Sequence, residues 1–314
     1  MKVSNTAVKT DNISNKKEMT GLPFVILITC ITALGGFLFG FDNGSISGAI
    51  GFLENHFNLT PLSIGWVTSS LMVGCFIGTI IAGKLGDLLG RKKVLLICAF
   101  LFALSSAGMA FSSTVSFLVI MRIGLGIAIG MEITLAPLYI AEISPAKIRG
   151  RLVSFNQLLN CVGNLAIFSV SAIVANTHTQ EWNNEYAWRW IFGLGVIPSL
   201  IFFILLFLVP ESPRWLLQKN KNKQALYVLE KINGSTAAKN ILNEMQQTIG
   251  KDKGKYSDLL HPSLRKGLTI AIIIAFAQQI TGINAVIYYA PEIFKSAGAG
   301  SNAALLSTVM VGVD

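Results

Sequence analysis

The chain has 314 residues, 52% of them hydrophobic and only 13% charged, with a mean hydropathy of +0.60. That balance excludes an ordinary soluble domain and points to a polytopic membrane protein. A net charge of +9 would suit a nucleic-acid binder, but its distribution along the chain argues against one.

The first 22 residues, MKVSNTAVKTDNISNKKEMTGL, are polar and lysine-bearing. They read as a tail and not as a signal peptide, because the apolar run that follows is too long for a signal core. Apolar stretches of spanning length then fall near 23–49, 63–82, 94–113, 116–140, 153–175, 188–209 and 267–291, and an eighth begins near Ala303. Every Lys and Arg except Arg122, Arg189 and Lys295 lies in the tail or at the connections that follow spans two, four and six. Loops 50–62, 114–115 and 176–187 hold none. The positive-inside rule therefore predicts a cytoplasmic N-terminus in the cell (plasma) membrane, and the basic surplus reflects topology and not nucleic acid.

The expected organisation is a cytoplasmic tail (1–22), a six-helix transmembrane bundle (23–209), a cytoplasmic helical loop (210–266) and the start of a second bundle (267–314). Within the loop, apolar residues at Ala225, Leu226, Leu229 and Ile232, and at Ile241, Met245 and Ile249, predict short amphipathic helices broken at Asn233-Gly234-Ser235. The alternative is a mostly disordered linker. Six spans, a loop and a further hydrophobic series describe half of a 6 + 6 transporter and the beginning of the other half, so the chain is expected to be C-terminally truncated.

Span one carries glycines at 36, 40, 44 and 48, a four-residue spacing that lays a smooth seam along one side of a helix. Asp42 projects roughly opposite that seam. A carboxylate at this depth is costly unless paired, hydrated or protonated, and Arg122 in span four is an intramembrane cation able to pair with it. Such a pair is either a proton-coupling device or a permanent structural ion pair; the residue types leave both open. Glu132, ten residues beyond Arg122, is a second acid in the same span. It reads as a second proton site, a polar substrate contact or a residue exposed to an aqueous cavity.

Acid and base recur where spans two, four and six end. "GKLGDLLGRKK" offers Asp87 and Arg91, "PLYIAEISPAKIRGR" offers Glu142 and Arg149, and "PESPRWLL" offers Glu211 and Arg214. Together they suggest a charge latch. Gln157 and Asn164 in span five, and Gln278, Gln279 and Asn284 in span seven, are neutral amides that both donate and accept, which suits a hydroxyl-rich ligand. Tyr288 and Tyr289 follow one to two turns on. Cys30, Cys75, Cys98 and Cys161 lie within spans as packing residues, and His56, His178 and His261 are isolated in loops. No nucleophile–base pair, phosphate loop or metal-ligand spacing is present, so neither an enzyme nor a metalloprotein is expected.

"GGFLFGFDNGSISGA", "GKLGDLLGRKK", "PLYIAEISPAKIRG", "SFNQL", "PESPRWLL" and "QQITGINAVIYYAP" resemble, in order and spacing, the signature series of the sugar porter family of the major facilitator superfamily. The resemblance implies an all-α major facilitator fold and secondary active transport of a monosaccharide. It implies sugar contacts from Gln157, Gln278, Gln279 and Asn284, an extracellular gate at Tyr288 and Tyr289, and proton coupling at Asp42 with Arg122 as partner. Asparagine is typical at the Asp42 position in the facilitators, so symport is favoured over facilitative uniport; a sensor or a non-transporting fragment is the remaining alternative. Protons are the coupling ion, no cofactor is implied, and a monomer in the bilayer with a sugar as its small-molecule partner is expected. Two departures stand out: Leu88 replaces a usual basic residue beside Asp87, and Glu132 replaces a usual small one.

Overall fold

The computed structural model describes residues 21–249 and 262–296, and among these the chain is helical without strands. Seven of its helices are long and apolar enough to cross a membrane. They are α1 (Leu22–Phe57), α2 (Pro61–Leu89), α3 (Arg91–Ala110), α4 (Val115–Ile143), α5 (Arg149–Thr177), α6 (Gln180–Leu208) and a seventh, Leu264–Pro291. The eighth stretch, the polar tail up to residue 20 and His261 lie outside the described residues.

Local chemistry sets the helix ends. Pro61 opens α2, where the Thr60 hydroxyl accepts from the Ser63 amide. Thr114 caps α4 in the same way through the Phe117 amide. Asn58 closes α1 in the left-handed conformation, its N–H donating to the Glu54 carbonyl. At 36 residues, α1 runs about 54 Å, well beyond a hydrocarbon core of about 30 Å. It continues eight residues past the expected end at 49, because Ile50 and Leu53 remain buried in the bundle.

The two tightest helix pairs are α1 with α5 and α2 with α4. Both are glycine-made. A side chain at Gly40 would strike the Asn160 carbonyl, and one at Gly163 would strike the Phe37 carbonyl, so here the α1 and α5 backbones touch. Gly74 and Gly126 face each other across α2 and α4 in the same manner. In hydrocarbon, where apolar burial no longer separates protein from solvent, this close backbone approach supplies the dispersion contact that holds helices together. α3 packs against α4, and α6 completes the bundle against α3 and α1.

α6 is irregular, with a π-helical turn at Asn183–Ala187 and a 3-10 turn at Leu206–Leu208. Trp188 is fully buried against the rings of His56 and Phe57, with the Arg189 guanidinium 4.2 Å from its ring centre. His56 is thus a packing residue. Three short helices follow at the polar end of the bundle, α7 (Pro213–Gln218), α8 (Asn222–Asn233) and α9 (Ser235–Ile249). Ala225, Val228, Leu229 and Ile232 form the buried face of α8, where Val228 stands in place of the expected Leu226, which is half-buried at the edge of the stripe.

The seventh span differs from the single helix expected over 267–291. It divides into α10 (Pro262–Ile280) and α11 (Ile283–Ser296). Gly282 at φ +71 takes the left-handed conformation, and the Thr281 hydroxyl donates to the Gln278 carbonyl at 2.6 Å, so α10 closes at this point. Along α10, Ile270, Ile272, Ile273, Ile274 and Phe276 are all exposed. α11 instead packs on α1.

Candidate functional site

Arg122 comes from the second turn of α4 and is completely buried. Its Nη1 stands 4.0 Å from Oδ1 of Asp42, itself 3% exposed on α1. Its Nε donates to the Val67 carbonyl of α2 at 2.8 Å, so one guanidinium ties three helices together. The pair is under-satisfied: Nη1, Nη2 and Asp42 Oδ2 are buried without a hydrogen-bond partner. A carboxylate that far from its cation, with a lone pair unused, has room to accept a proton.

One residue along, the Asn43 side-chain oxygen accepts from the Tyr288 hydroxyl at 3.2 Å. This buried bond joins α1 to α11 beside the ion pair. Sequence reading assigned Tyr288 and Tyr289 as gate residues and passed over Asn43. In the structure Tyr288 is buried and Tyr289 half-buried on the core.

The amides occupy different settings. Gln157 on α5 and Gln278 and Gln279 on α10 are exposed. Asn164 is buried, its Nδ2 donating to the Asn160 backbone and side-chain oxygens at 3.3 Å. The Asn164 side-chain oxygen has no partner. Asn160, missed in the sequence, was detectable as the residue midway between Gln157 and Asn164. The side chain of Asn284 lies outside the described residues, although its position in the first turn of α11 is clear.

At the polar end, Arg91 is the hub. It is buried, and its Nη1 donates to the Gly86 carbonyl at 2.9 Å and to Asp87 at 3.0 Å, while Nη2 reaches Glu142 at 3.2 Å. The other Glu142 oxygen accepts from the Ser212 hydroxyl. Glu211 accepts from the Ser212 and Lys92 amides at 2.9 and 3.2 Å. Burial lifts the Glu211 carboxyl above the ordinary glutamate range, and these amide donors offset part of that rise. Tyr139 donates to the Pro210 carbonyl at 2.7 Å, and the Trp215 indole donates to the Asp87 carbonyl at 3.0 Å. Ser212, Tyr139 and Trp215 sit inside the quoted motifs, but no charge marked them. Arg149 and Arg214 are exposed, and Arg149 borders a groove between the bundle and helices α8 and α9. Leu88 is exposed beside this network without entering it.

Cys98 is buried, Cys30 and Cys75 are half-buried, and Cys161 is exposed, so Cys161 is not an interior packing residue of this bundle. Among the described residues no group of His, Cys, Asp and Glu could hold a metal.

Comparison with known proteins agrees with this architecture. A protein-family model described as "Sugar (and other) transporter" matches residues 28–314. The arabinose-proton symporter of Bacillus subtilis (strain 168) is 45% identical over 92% of this chain and 63% of its own length. The D-xylose-proton symporter of Escherichia coli (strain K12) is 37% identical over 92% of this chain and 64% of its own. The solved structure of the proton:xylose symporter XylE bound to 6-bromo-6-deoxy-D-glucose superposes with a TM-score of 0.84 at 37% identity, covering 93% of this chain and 67% of that one. The chain thus spans somewhat under two thirds of the length of these curated relatives. Six apolar helices in a bundle, a broken seventh span and the match across 28–314 establish that this multi-pass membrane protein belongs to the sugar transporter family of the major facilitator superfamily.

Proposed function

We propose that the protein carries a monosaccharide across the cell membrane together with a proton, by alternating access. The observation that carries the reading is the buried, under-bonded Asp42–Arg122 pair next to the Asn43–Tyr288 bond. Protonating Asp42 removes its attraction for Arg122 while Arg122 keeps the Val67 carbonyl. A change at one carboxylate therefore alters the contact among α1, α2 and α4, and does so where α11 docks on α1. A ligand or proton shifts a conformational equilibrium only by binding one state better than the other, and this pair provides that difference. The names of the arabinose-proton and D-xylose-proton symporters support both the coupling ion and a pentose as the first sugar to test.

The broken span is the proposed place for the sugar. Discontinuous helices in transporters expose backbone groups and side chains toward a midplane site. Gln278 and Gln279 end α10 just before the break at Gly282, and Asn284 begins α11 just after it. With Gln157 and Asn164 from α5 they form the proposed hydroxyl-binding set, and Tyr288 and Tyr289 the gate above it. The Arg91 network, with Asp87, Glu142, Glu211 and their neighbours Arg149 and Arg214, is the proposed cytoplasmic latch. Lysine and arginine at the connections on that side support a cytoplasmic N-terminus. The domain limits follow as 1–22, 23–209, 210–266 and 267–314. The protein acts as a monomer in the bilayer.

The test is sugar accumulation by the native-length protein in proteoliposomes under an imposed proton gradient. One proton moved through 100 mV supplies about 2.3 kcal/mol, enough to sustain a gradient of roughly 50-fold. Asp42→Asn should lose that accumulation yet retain exchange of labelled for unlabelled sugar. Accumulation by Asp42→Asn equal to wild type would defeat proton coupling through this site and favour facilitative uniport.

A further inference from the structure

Glu132 lies ten residues past Arg122 on α4, about 15 Å nearer the charged end of the bundle. It is 4% exposed, and both carboxyl oxygens are buried without a hydrogen-bond partner. Its surroundings are unusually bare. The cavity it borders is walled by Gly35 and Leu38 of α1, Cys98, Ala99 and Phe102 of α3, Phe202 of α6, and its own neighbours Ala128 and Ile129. The titratable group facing it from these helices is the Cys98 thiol, and no charged side chain lines the cavity. A side chain at Gly35 would overlap the Glu132 carboxyl, so the carboxyl rests directly on the α1 backbone.

Three ligands could satisfy an isolated buried carboxyl: a cation, water or a proton. A metal ion or sodium needs several oxygen ligands, and the walls supply no second oxygen-bearing side chain. The cavity measures about 10 Å³, at the lower bound for one water, which would also need two or more polar partners. An unpaired carboxylate buried in apolar surroundings costs many kcal/mol and neutralises instead. We infer that Glu132 is a second proton-binding site, separate from Asp42 and loaded with its proton in the conformation shown.

The proton is held in a cavity where four helices meet, α1, α3, α4 and α6. A conformation that parts them admits water, and hydration removes the penalty on the charged form, so the proton leaves. By linkage, a closed state that holds one more proton gains about tenfold over the open state for each unit of falling pH, within the pH window in which the closed state keeps the Glu132 proton and the open state has lost it. Opening itself rests on the alternating-access reading above; the bound proton does not.

The experiment begins with infrared spectra of the native-length protein in lipid nanodiscs at neutral pH. Glu132→Gln, which has the shape of a protonated glutamate, should remove one carbonyl stretch of a protonated carboxylic acid that Asp42→Asn leaves in place. A Glu132→Gln spectrum identical to wild type would overturn the assignment. Should that variant not fold, Glu211→Gln protein labelled with ¹³C-glutamate, which lacks the latch glutamate raised by burial, takes its place: a protonated-carboxyl band that shifts with the isotope and resists exchange into D₂O supports the site, and none overturns it. Maleimide labelling of Cys98, which shares the cavity, then reads opening. Maleimide reacts with the thiolate, whose fraction itself falls about tenfold per unit of decreasing pH below the thiol pKa. Labelling read at the Cys98 peptide should therefore fall by that share alone in Glu132→Gln and toward a further tenfold per unit in wild type; equal slopes would overturn the linkage. None of these readouts requires sugar uptake, so failure of transport and failure of this site are separable.

Discussion

The ionisable groups in the middle of the bundle and those at its polar end live under opposite conditions. At the polar end, both terminal nitrogens of Arg91 are bonded, to Gly86, Asp87 and Glu142, leaving only its Nε buried without a partner, and Glu142 also takes the Ser212 hydroxyl. In the middle, Arg122 keeps two nitrogens without partners, Asp42 one oxygen and Glu132 two. Satisfied charges hold one arrangement firmly, because any movement loses several bonds together. Under-satisfied charges have least to lose when their protonation changes. The difference supports the proposed division, with the latch as structure and the centre as switch.

The largest test of this contrast sets Asp42→Asn against Arg122→Gln. Arginine cannot shed its proton inside a protein, so removing Asp42 strands a buried cation, at a cost of about 3–5 kcal/mol. Removing Arg122 strands a carboxylate, which can neutralise by taking up a proton. Thermal unfolding in detergent should therefore show Asp42→Asn below wild type at neutral pH with no recovery of its own as pH falls, and Arg122→Gln recovering as pH falls. Equal pH profiles would mean that the pair is a fixed structural bridge. At the latch, Arg91→Ala should come next, losing about 2–3 kcal/mol through charge-assisted bonds to Glu142 and Gly86. Asp87→Ala should cost less, about 0.2–1 kcal/mol, because the Asp87 side chain is 67% exposed.

Much of this contrast was legible in the sequence, for reasons of cost. The spans follow from hydrophobicity alone, since an apolar run of that length has few other uses. That Asp42 and Arg122 stand face to face follows from the expense of leaving either alone in hydrocarbon. The glycine seam announced its close helix contact by spacing. What stayed hidden depends on partners with no residue-type signature. The Val67 carbonyl that holds Arg122 is backbone, present at every position. The isolation of Glu132 is set by which apolar faces α1, α3 and α6 turn toward it. The break at Gly282 was masked because the span as a whole stays hydrophobic despite the amides on either side of it, and hydropathy does not register a change of φ.

Tyr288→Phe sharpens the comparison at the boundary between the two regimes. It deletes the hydroxyl that donates to Asn43 and leaves the ring buried against α1. The loss should be about 0.5–1.5 kcal/mol, seen as faster hydrogen exchange in α11 with the six-helix bundle unchanged. Matched exchange in α11 would show that apolar packing alone docks it.

The smallest effect concerns Glu211, where a latch group is imperfectly satisfied. Burial raises its carboxyl above the ordinary glutamate value in the folded state, so folding favours the protonated form. The stability this contributes is fully present below the unfolded-state value, near 4.3, and is lost as pH rises through the higher folded-state value. Above that window the wild type carries a partly desolvated charge that Glu211→Gln does not. The variant should therefore show a flatter dependence of melting temperature on pH from about 4 upward. Two amide donors, from Ser212 and Lys92, partly compensate the charge, which keeps the expected difference small. A Glu211→Gln melting curve that falls with pH as steeply as wild type would place the pH sensitivity of the latch elsewhere, with Glu142 the next group to replace.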